Sequence, residues 1–130
     1  MYLLDTHVLL WYTLDPEKLT EPALKALNEI EKEGLGYYSS ISLWELGVKI
    51  KNNKLDIGMT IDQFTRGLKT MGTLVDLPVT TEVWLESLRL DCAHKYPADR
   101  TIVATARLRA LPVISKDLLI IDSGQVDTIW

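Results

Sequence analysis

The chain opens Met1-Tyr2-Leu3-Leu4-Asp5-Thr6-His7-Val8-Leu9-Leu10-Trp11, and this stretch decides the class of fold. Tyr2–Leu4 is short and apolar and stops at an acid, as a buried strand does. Thr6 is placed to cap a helix running through Val8, Leu9, Trp11 and Tyr12, which Asp15-Pro16 breaks. The same alternation continues outward. A second helix fits Glu21 to Glu33, with Ala23, Leu24, Leu27 and Ile30 on one face and Gly34 as its stop. Leu35 to Ser39 reads as a strand. Ser42-Leu43-Trp44-Glu45 opens a third helix that ends near Asn52-Asn53, and Thr60 to Met71 is a fourth. Leu74 to Val79 is a strand whose Pro78 marks a sheet edge or a last residue. Helices over Thr81 to Asp91 and Pro97 to Ala110 follow, then strands over Pro112 to Ser115 and Val126 to Trp130. Strands alternating with helices imply an α/β domain with a mainly parallel sheet covered on both faces. Helix pairs between some strands depart from a strict βαβ repeat.

A chain of 130 residues holds one core, so residues 1–130 read as a single domain. Apolar residues make up 47% and charged residues 25%, which excludes a disordered tail and a collagen-like fibre. The apolar runs are far short of the ~20 residues of a spanning helix, so no membrane role is expected. The net charge of −4 means that any hold on nucleic acid works through a local basic patch or bound cations. A single cysteine, Cys92, excludes an internal disulfide and a cysteine-rich zinc site, and only His7 and His94 stand beside it. The N-terminus has no basic region or signal-peptide core, so a cytoplasmic protein is expected.

Four of the eighteen acids sit where surface acids have less reason to be. Asp5 follows the first strand, and Asp117 follows Val113-Ile114-Ser115. In a parallel sheet both strand ends lie on the carboxyl edge, where neighbouring strands are ~4.8 Å apart and ligands bind. Asp99 shares a stripe with Ile102, Val103, Ala106 and Ala110, which turns it toward the sheet. Glu45 opens the helix after the second strand. Two carboxylates about 4 Å apart repel by roughly 4 kcal/mol at an effective dielectric of about 20. Four on one edge must be protonated, spread apart or neutralised by cations. Oxygen ligands without His or Cys favour Mg²⁺ or Mn²⁺. A cation so held activates water and steadies the leaving oxygen of an in-line displacement, which points to phosphodiester hydrolysis.

Each acid taken alone has an ordinary structural role. Asp5 can cap the first helix. Glu45 fits a capping box with Ser42 and an i,i+4 pair with Lys49. Asp99 suits the first turn of a helix, and Asp117 a turn. Asp122 competes with Asp117 as the strand-end acid. Only their joint occurrence speaks for a site. His7 and His94 read as satisfied polar residues, Cys92 as a small buried hydrophobe, and the tryptophans 11, 44, 84 and 130 as packing or interface residues. Lys49, Lys51 and Lys54 form either a solvated face or a phosphate-contacting patch. Arg100 is placed to pair with an acid or to approach a substrate. Gly47 inside a helix, unfavourable by roughly 1 kcal/mol, implies close packing there.

The motifs together resemble PIN-domain nucleases, and within them the VapC-type toxins. Leu3-Leu4-Asp5-Thr6-His7-Val8-Leu9-Leu10-Trp11 is similar to the opening of that family. Ser40-Ile41-Ser42-Leu43-Trp44-Glu45-Leu46-Gly47-Val48-Lys49 resembles its second acidic motif. His94-Lys95-Tyr96-Pro97-Ala98-Asp99-Arg100 with Ile102 and Ala104-Thr105-Ala106 resembles the third, and Leu111-Pro112-Val113-Ile114-Ser115-Lys116-Asp117 the fourth. The resemblance implies an α/β/α sandwich and a Mg²⁺- or Mn²⁺-dependent endoribonuclease. It carries catalytic and metal-binding roles onto Asp5, Glu45, Asp99 and Asp117, with Thr6 and Ser115 supporting them through their hydroxyls. It also implies a cognate antitoxin, an RNA substrate and a homodimer. Two positions depart from it: relatives often carry an acid where Tyr96 stands and an aromatic where Ala98 stands. A Thr often stands at the position of Ser115.

Two rival readings remain distinct. One is a PIN-like module that binds RNA or protein with little catalysis. The other is a receiver-type phosphorylation domain, which wants paired acids after the first strand and an acceptor Asp after a middle one. Here Thr6 follows Asp5, and Leu74 to Val79 ends without an Asp.

Overall fold

A computed structural model describes residues 1–91 and 96–130. Cys92 and His94 lie outside the described residues. Five parallel strands form one sheet: β1 (Tyr2–Leu4), β2 (Gly36–Ser39), β3 (Leu74–Leu77), β4 (Val113–Ile114) and β5 (Thr128–Ile129). Their order is β3-β2-β1-β4-β5. Between β1 and β2 lie α1 (Thr6–Leu14), a 3₁₀ turn (Pro16–Lys18) and α2 (Glu21–Glu33). Helices α3 (Ser40–Lys51) and α4 (Ile61–Met71) join β2 to β3, and α5 (Thr81–Arg89) and α6 (Pro97–Arg109) join β3 to β4. A short α7 (Leu118–Ile121) precedes β5. No helix among the described residues is long and apolar enough to cross a membrane.

Successive strand residues point to opposite faces, and the core divides accordingly. Leu4 and Ile114 pack with Val8, Leu9, Leu27, Ile30, Leu46 and Phe64, from α1 to α4. Leu3 and Val113 pack instead with Ala98, Ile102 and Ala106 of α6. Val83 of α5, Val103 of α6 and Ile120 of α7 extend this second layer. The expected sandwich is therefore present, with β3 at one edge and Pro78 just beyond its end.

Several local expectations are corrected. Asp5, not Thr6, is the N-cap of α1; its carboxylate accepts the Thr6 N–H. The cap of α3 is Ser39, whose hydroxyl accepts the Ile41 N–H, so that helix starts two residues before Ser42. The capping box falls at Thr60 and Gln63, where the reciprocal bonds of 3.1 and 2.9 Å are both made. Leu24 is exposed, and Ala26 takes its place in the core face of α2. Ala110 leaves the α6 stripe as an exposed left-handed cap (φ 52°). A Cβ on Gly47 would make only ordinary contact, 3.7 Å from Ile61, so close packing does not explain it. The tight glycine is Gly36, where a Cβ would lie 2.5 Å from Leu74 and 2.6 Å from Ile30.

Candidate active site

The strand order reverses its direction of growth at β1: the earlier crossovers run toward β3, whereas β4 pairs on the other side. The crevice at such a reversal, beyond the carboxyl ends of the strands, is where open α/β sheets hold ligands. Asp5 leaves β1 there, its N–H donating to Ile114 O at 3.1 Å. The pairing of Leu4 with Ile114 brings Ser115 and Asp117 to the same edge.

Asp5 is only 2% exposed. Thr6 N–H donates to its Oδ1 at 2.7 Å, and Ser115 Oγ to its Oδ2 at 2.5 Å. Burial pushes the Asp5 carboxyl up, against the opposing effects of His7, Ser115 and the Thr6 N–H, while Glu45 pushes it further up. The Ser115 hydroxyl thus reaches the Asp5 carboxylate directly. The Thr6 hydroxyl instead hydrogen-bonds Ser42 Oγ at 2.8 Å in the buried seam between α1 and α3. Ser42 therefore fastens the two helices together rather than capping one.

Glu45 sits in the second turn of α3, beyond reach of a capping role. Its Oε2 lies 3.6 Å from Lys49 Nζ, the expected i,i+4 pair. Its Oε1 is buried and has no hydrogen-bond partner among the described residues. Asp99, in the first turn of α6, has its carboxyl raised to about 7, by burial first and then by Asp5, Glu45 and Asp117. Asp117 is the N-cap of α7, its Oδ1 accepting the Leu119 N–H at 2.9 Å, and its own N–H donates to Ser115 Oγ at 3.0 Å. Asp122 ends α7 as an exposed cap.

Two adjoining lobes open here. The inner one, about 300 Å³, is lined by Asp5, His7, Glu45, Lys49, Lys54 and Asp99 among others. The outer one, about 570 Å³, shares His7, Glu45, Lys49, Lys54 and Asp99 and adds Trp44 and Tyr96. Ala98 is buried at its wall. Arg100 lines neither lobe; its guanidinium donates to Ser87 O at 2.7 Å and Leu90 O at 3.1 Å, tying α6 to the end of α5.

Lys54 reaches the cleft because α3 ends in a left-handed turn at Asn53 (φ 56°). Asn53 N–H donates to Ile50 O and Lys54 N–H to Lys49 O, the two bonds of a Schellman cap that folds the chain back. Of the basic stretch, Lys49 and Lys54 line the cleft and Lys51 does not.

His7 is the satisfied polar residue that the sequence suggested, but it also lines the cleft. Lys116 N–H donates to its Nε2 at 3.2 Å, so the ring proton sits on Nδ1, which is 3.5 Å from Asp5 Oδ2. Burial lowers its pKa and keeps the ring neutral. Its ring packs edge-on against Trp11 and Trp130. The one available signal was its position, two residues after a strand-end acid.

The donors this cleft would offer a cation are carboxylate oxygens, which suit a hard divalent ion: Glu45 has a buried oxygen with no hydrogen-bond partner among the described residues, and burial, then the neighbouring acids, raise the Asp99 carboxyl. Among the described residues, no three His, Cys, Asp or Glu side chains form a set that would hold an ion by themselves. Mg²⁺ tolerates this, since it keeps several waters and takes few carboxylates.

Residues 2–121 match the PIN domain family. The ribonuclease VapC22 of Mycobacterium tuberculosis (strain ATCC 25618 / H37Rv) is 25% identical over 119 residues, covering 88% of this chain and 85% of its own. The structure of FitAcB from Neisseria gonorrhoeae superposes with a TM-score of 0.68 at 24% identity, over 98% of this chain and 96% of that one. VapBC2 from Rickettsia felis, bound to a DNA fragment from their promoter, gives 0.69 at 13% identity, over 98% and 96%. The parallel sheet, the acids at its carboxyl edge and a family match over nearly the whole length agree: this chain belongs to the PIN domain family.

Proposed function

We propose that the protein is a Mg²⁺- or Mn²⁺-dependent endoribonuclease acting in the cytoplasm as the toxin of a toxin–antitoxin pair. The observation that carries this reading is the convergence of Asp5, Glu45 and Asp99 on one cleft at the sheet reversal, with Asp117 close enough to raise Asp99. The similarity to a relative named as a ribonuclease supports it. Asp5, Glu45, Asp99 and Asp117 would hold the cation, which when bound makes water a better nucleophile and offsets charge on the phosphate. The chain's own groups do the rest. Thr6 N–H and Ser115 Oγ fix the Asp5 carboxylate, so it need not reorganise during reaction. His7 stays neutral and directs an N–H toward Asp5. Lys49 and Lys54 supply positive charge along the wall for the RNA backbone, which an acidic protein otherwise repels.

The partner chain is expected to place an Arg or Lys between Asp5 and Asp99, silencing the acids by charge. Self-association into a dimer belongs to the same reading, and light scattering that finds only monomer at high concentration would remove it. The decisive assay is cleavage of single-stranded RNA in Mn²⁺, in chelator, and by Asp99→Asn. Cleavage that needs Mn²⁺ and Asp99 is the expected result. RNA binding without cleavage at any Mn²⁺ concentration would make the protein a PIN-like binding module instead.

A further inference from the structure

Two large aromatic side chains stand exposed at the acidic cleft. Trp44, one residue before Glu45 on α3, is 61% exposed, and Tyr96, the residue before Pro97 at the start of α6, is 72% exposed. Leaving rings of this size in water forgoes much of the stabilisation that their burial would contribute. Both line the outer lobe, which has room for about 570 Å³ and opens directly onto Glu45 and Asp99. The same lobe is also lined by apolar or small residues, Val48, Pro97 and Ala98. Lys49 and Lys54 occupy the same lobe. Flat aromatic faces, apolar lining and ammonium groups in one lobe fit a ligand with a flat π-face and a negatively charged backbone.

We propose that this outer lobe is a base-stacking subsite, in which Trp44 and Tyr96 take an unpaired RNA base beside the scissile phosphate while Lys49 and Lys54 meet the neighbouring backbone. It rests on the reading of the adjoining acids as a site for RNA. A base inside a duplex keeps both faces stacked on its neighbours and cannot enter such a slot, so the subsite selects single-stranded segments. Stacking accepts any base but favours large ones, and it positions the chain without reading a sequence. Trp44, Tyr96, Glu45 and Asp99 line the same lobe, so a base held there brings its phosphate near those acids. The Schellman cap at Asn53 is the local device that brings Lys54 into the lobe.

The test uses the full chain with Asp99→Asn to prevent cleavage, in Mg²⁺, with two fluorescein-labelled decamers read by anisotropy. One is oligoadenylate; the other is an abasic ribose-phosphate of equal charge. The expected result is tighter binding of oligoadenylate. Trp44→Ala and Tyr96→Ala should each weaken it roughly 10- to 100-fold and leave the abasic decamer unchanged. Trp44→Phe should retain most of the binding. Because both rings are exposed, melting temperatures should stay close to those of the parent. Equal binding of the two decamers by the parent, or unchanged oligoadenylate binding by both alanine variants, overturns the proposal. So does a loss of dimer mass in these variants with RNA binding intact, which would make the rings an interface between copies. Base-dependent binding that persists while the chain with Asp99 intact never cleaves RNA would sink the nuclease reading and leave the subsite standing.

Discussion

Replacing Glu45 by Gln separates a metal ligand from a structural residue. The capping explanation of Glu45 is gone, because Ser39 caps α3 and Glu45 lies a turn further on. What remains structurally is the pair with Lys49, at 3.6 Å between side chains that are 51% and 22% exposed. Such a pair contributes no more than about 0.5 kcal/mol. Against that loss, the neutral amide removes a charge that pushes up both Asp5 and Asp99. The two effects oppose each other, so stability in chelator should change by less than about 1 kcal/mol, or about 4 °C for a domain of this size. Metal binding should respond differently. At a Mn²⁺ concentration of about 100 Kd, the parent gains about 2.7 kcal/mol, a rise of roughly 10 °C. Loss of a charged ligand weakens affinity by about 100-fold or more, taking the substituted protein of this Mn²⁺ solution to about one Kd, where the gain is only about 0.4 kcal/mol, or 2 °C. Paired melting curves of E45Q in chelator and in Mn²⁺, with RNA cleavage at limiting Mn²⁺, make the comparison. A full 10 °C rise together with parental cleavage would refute the assignment of Glu45 to the metal site.

Asp99 should make stability depend on pH. Its folded value of about 7 lies above the ordinary 3.8, so the stability associated with its protonated form is fully present below about pH 4 and is lost as pH rises through 7. Chelated protein should therefore unfold at lower denaturant at pH 8 than at pH 5.5, and Asp99→Asn should flatten that slope; an equal slope in D99N would refute the cause. Ser115→Ala leaves a buried Asp5 oxygen without its donor and should cost about 1–3 kcal/mol in denaturant melts, even in chelator. Gly47→Ala should stabilise by about 0.8–1.0 kcal/mol, since a methyl group meets only ordinary contact with Ile61. Gly36→Ala should instead destabilise by about 1–3 kcal/mol, because Leu74 and Ile30 would have to move. Calorimetry of the two alanine variants tests that opposite sign.

Much of this molecule can be read along the chain. Apolar stretches ending in an acid or a capping residue marked β1, β2 and β4, because a buried strand must end where its backbone meets water. The periodic face and glycine stop of α2 located that helix, since helix propensity and capping act within a few residues. The acids at Asp5 and Asp117 were visible as strand-end residues for the same local reason. Where neighbouring capping residues compete, the sequence cannot choose. Ser39 and Ser42 are both plausible caps for α3, and the contact of Ser42 with Thr6, 36 residues away, took Ser42 into a helix–helix seam. That single choice removed the capping explanation of Glu45 and left only its pair with Lys49.

Tertiary structure alone decided what the side chains face. Arg100 adjoins Asp99 in the chain, but successive residues on a helix point about 100° apart, and its guanidinium donates to the carbonyls of Ser87 and Leu90 at the end of α5. His7 is a satisfied polar residue, as its sequence suggested, but its partners, the Lys116 N–H and Asp5, come together only in the fold. Residue types and local periodicity determined the layered α/β class and the acids at its edge, through forces that act over a few residues. Which of those acids share one cleft, and that Asp99 is driven toward neutrality there, depends on the order β3-β2-β1-β4-β5. Burial and Coulomb repulsion act between groups far apart in the chain, so only the folded arrangement sets them.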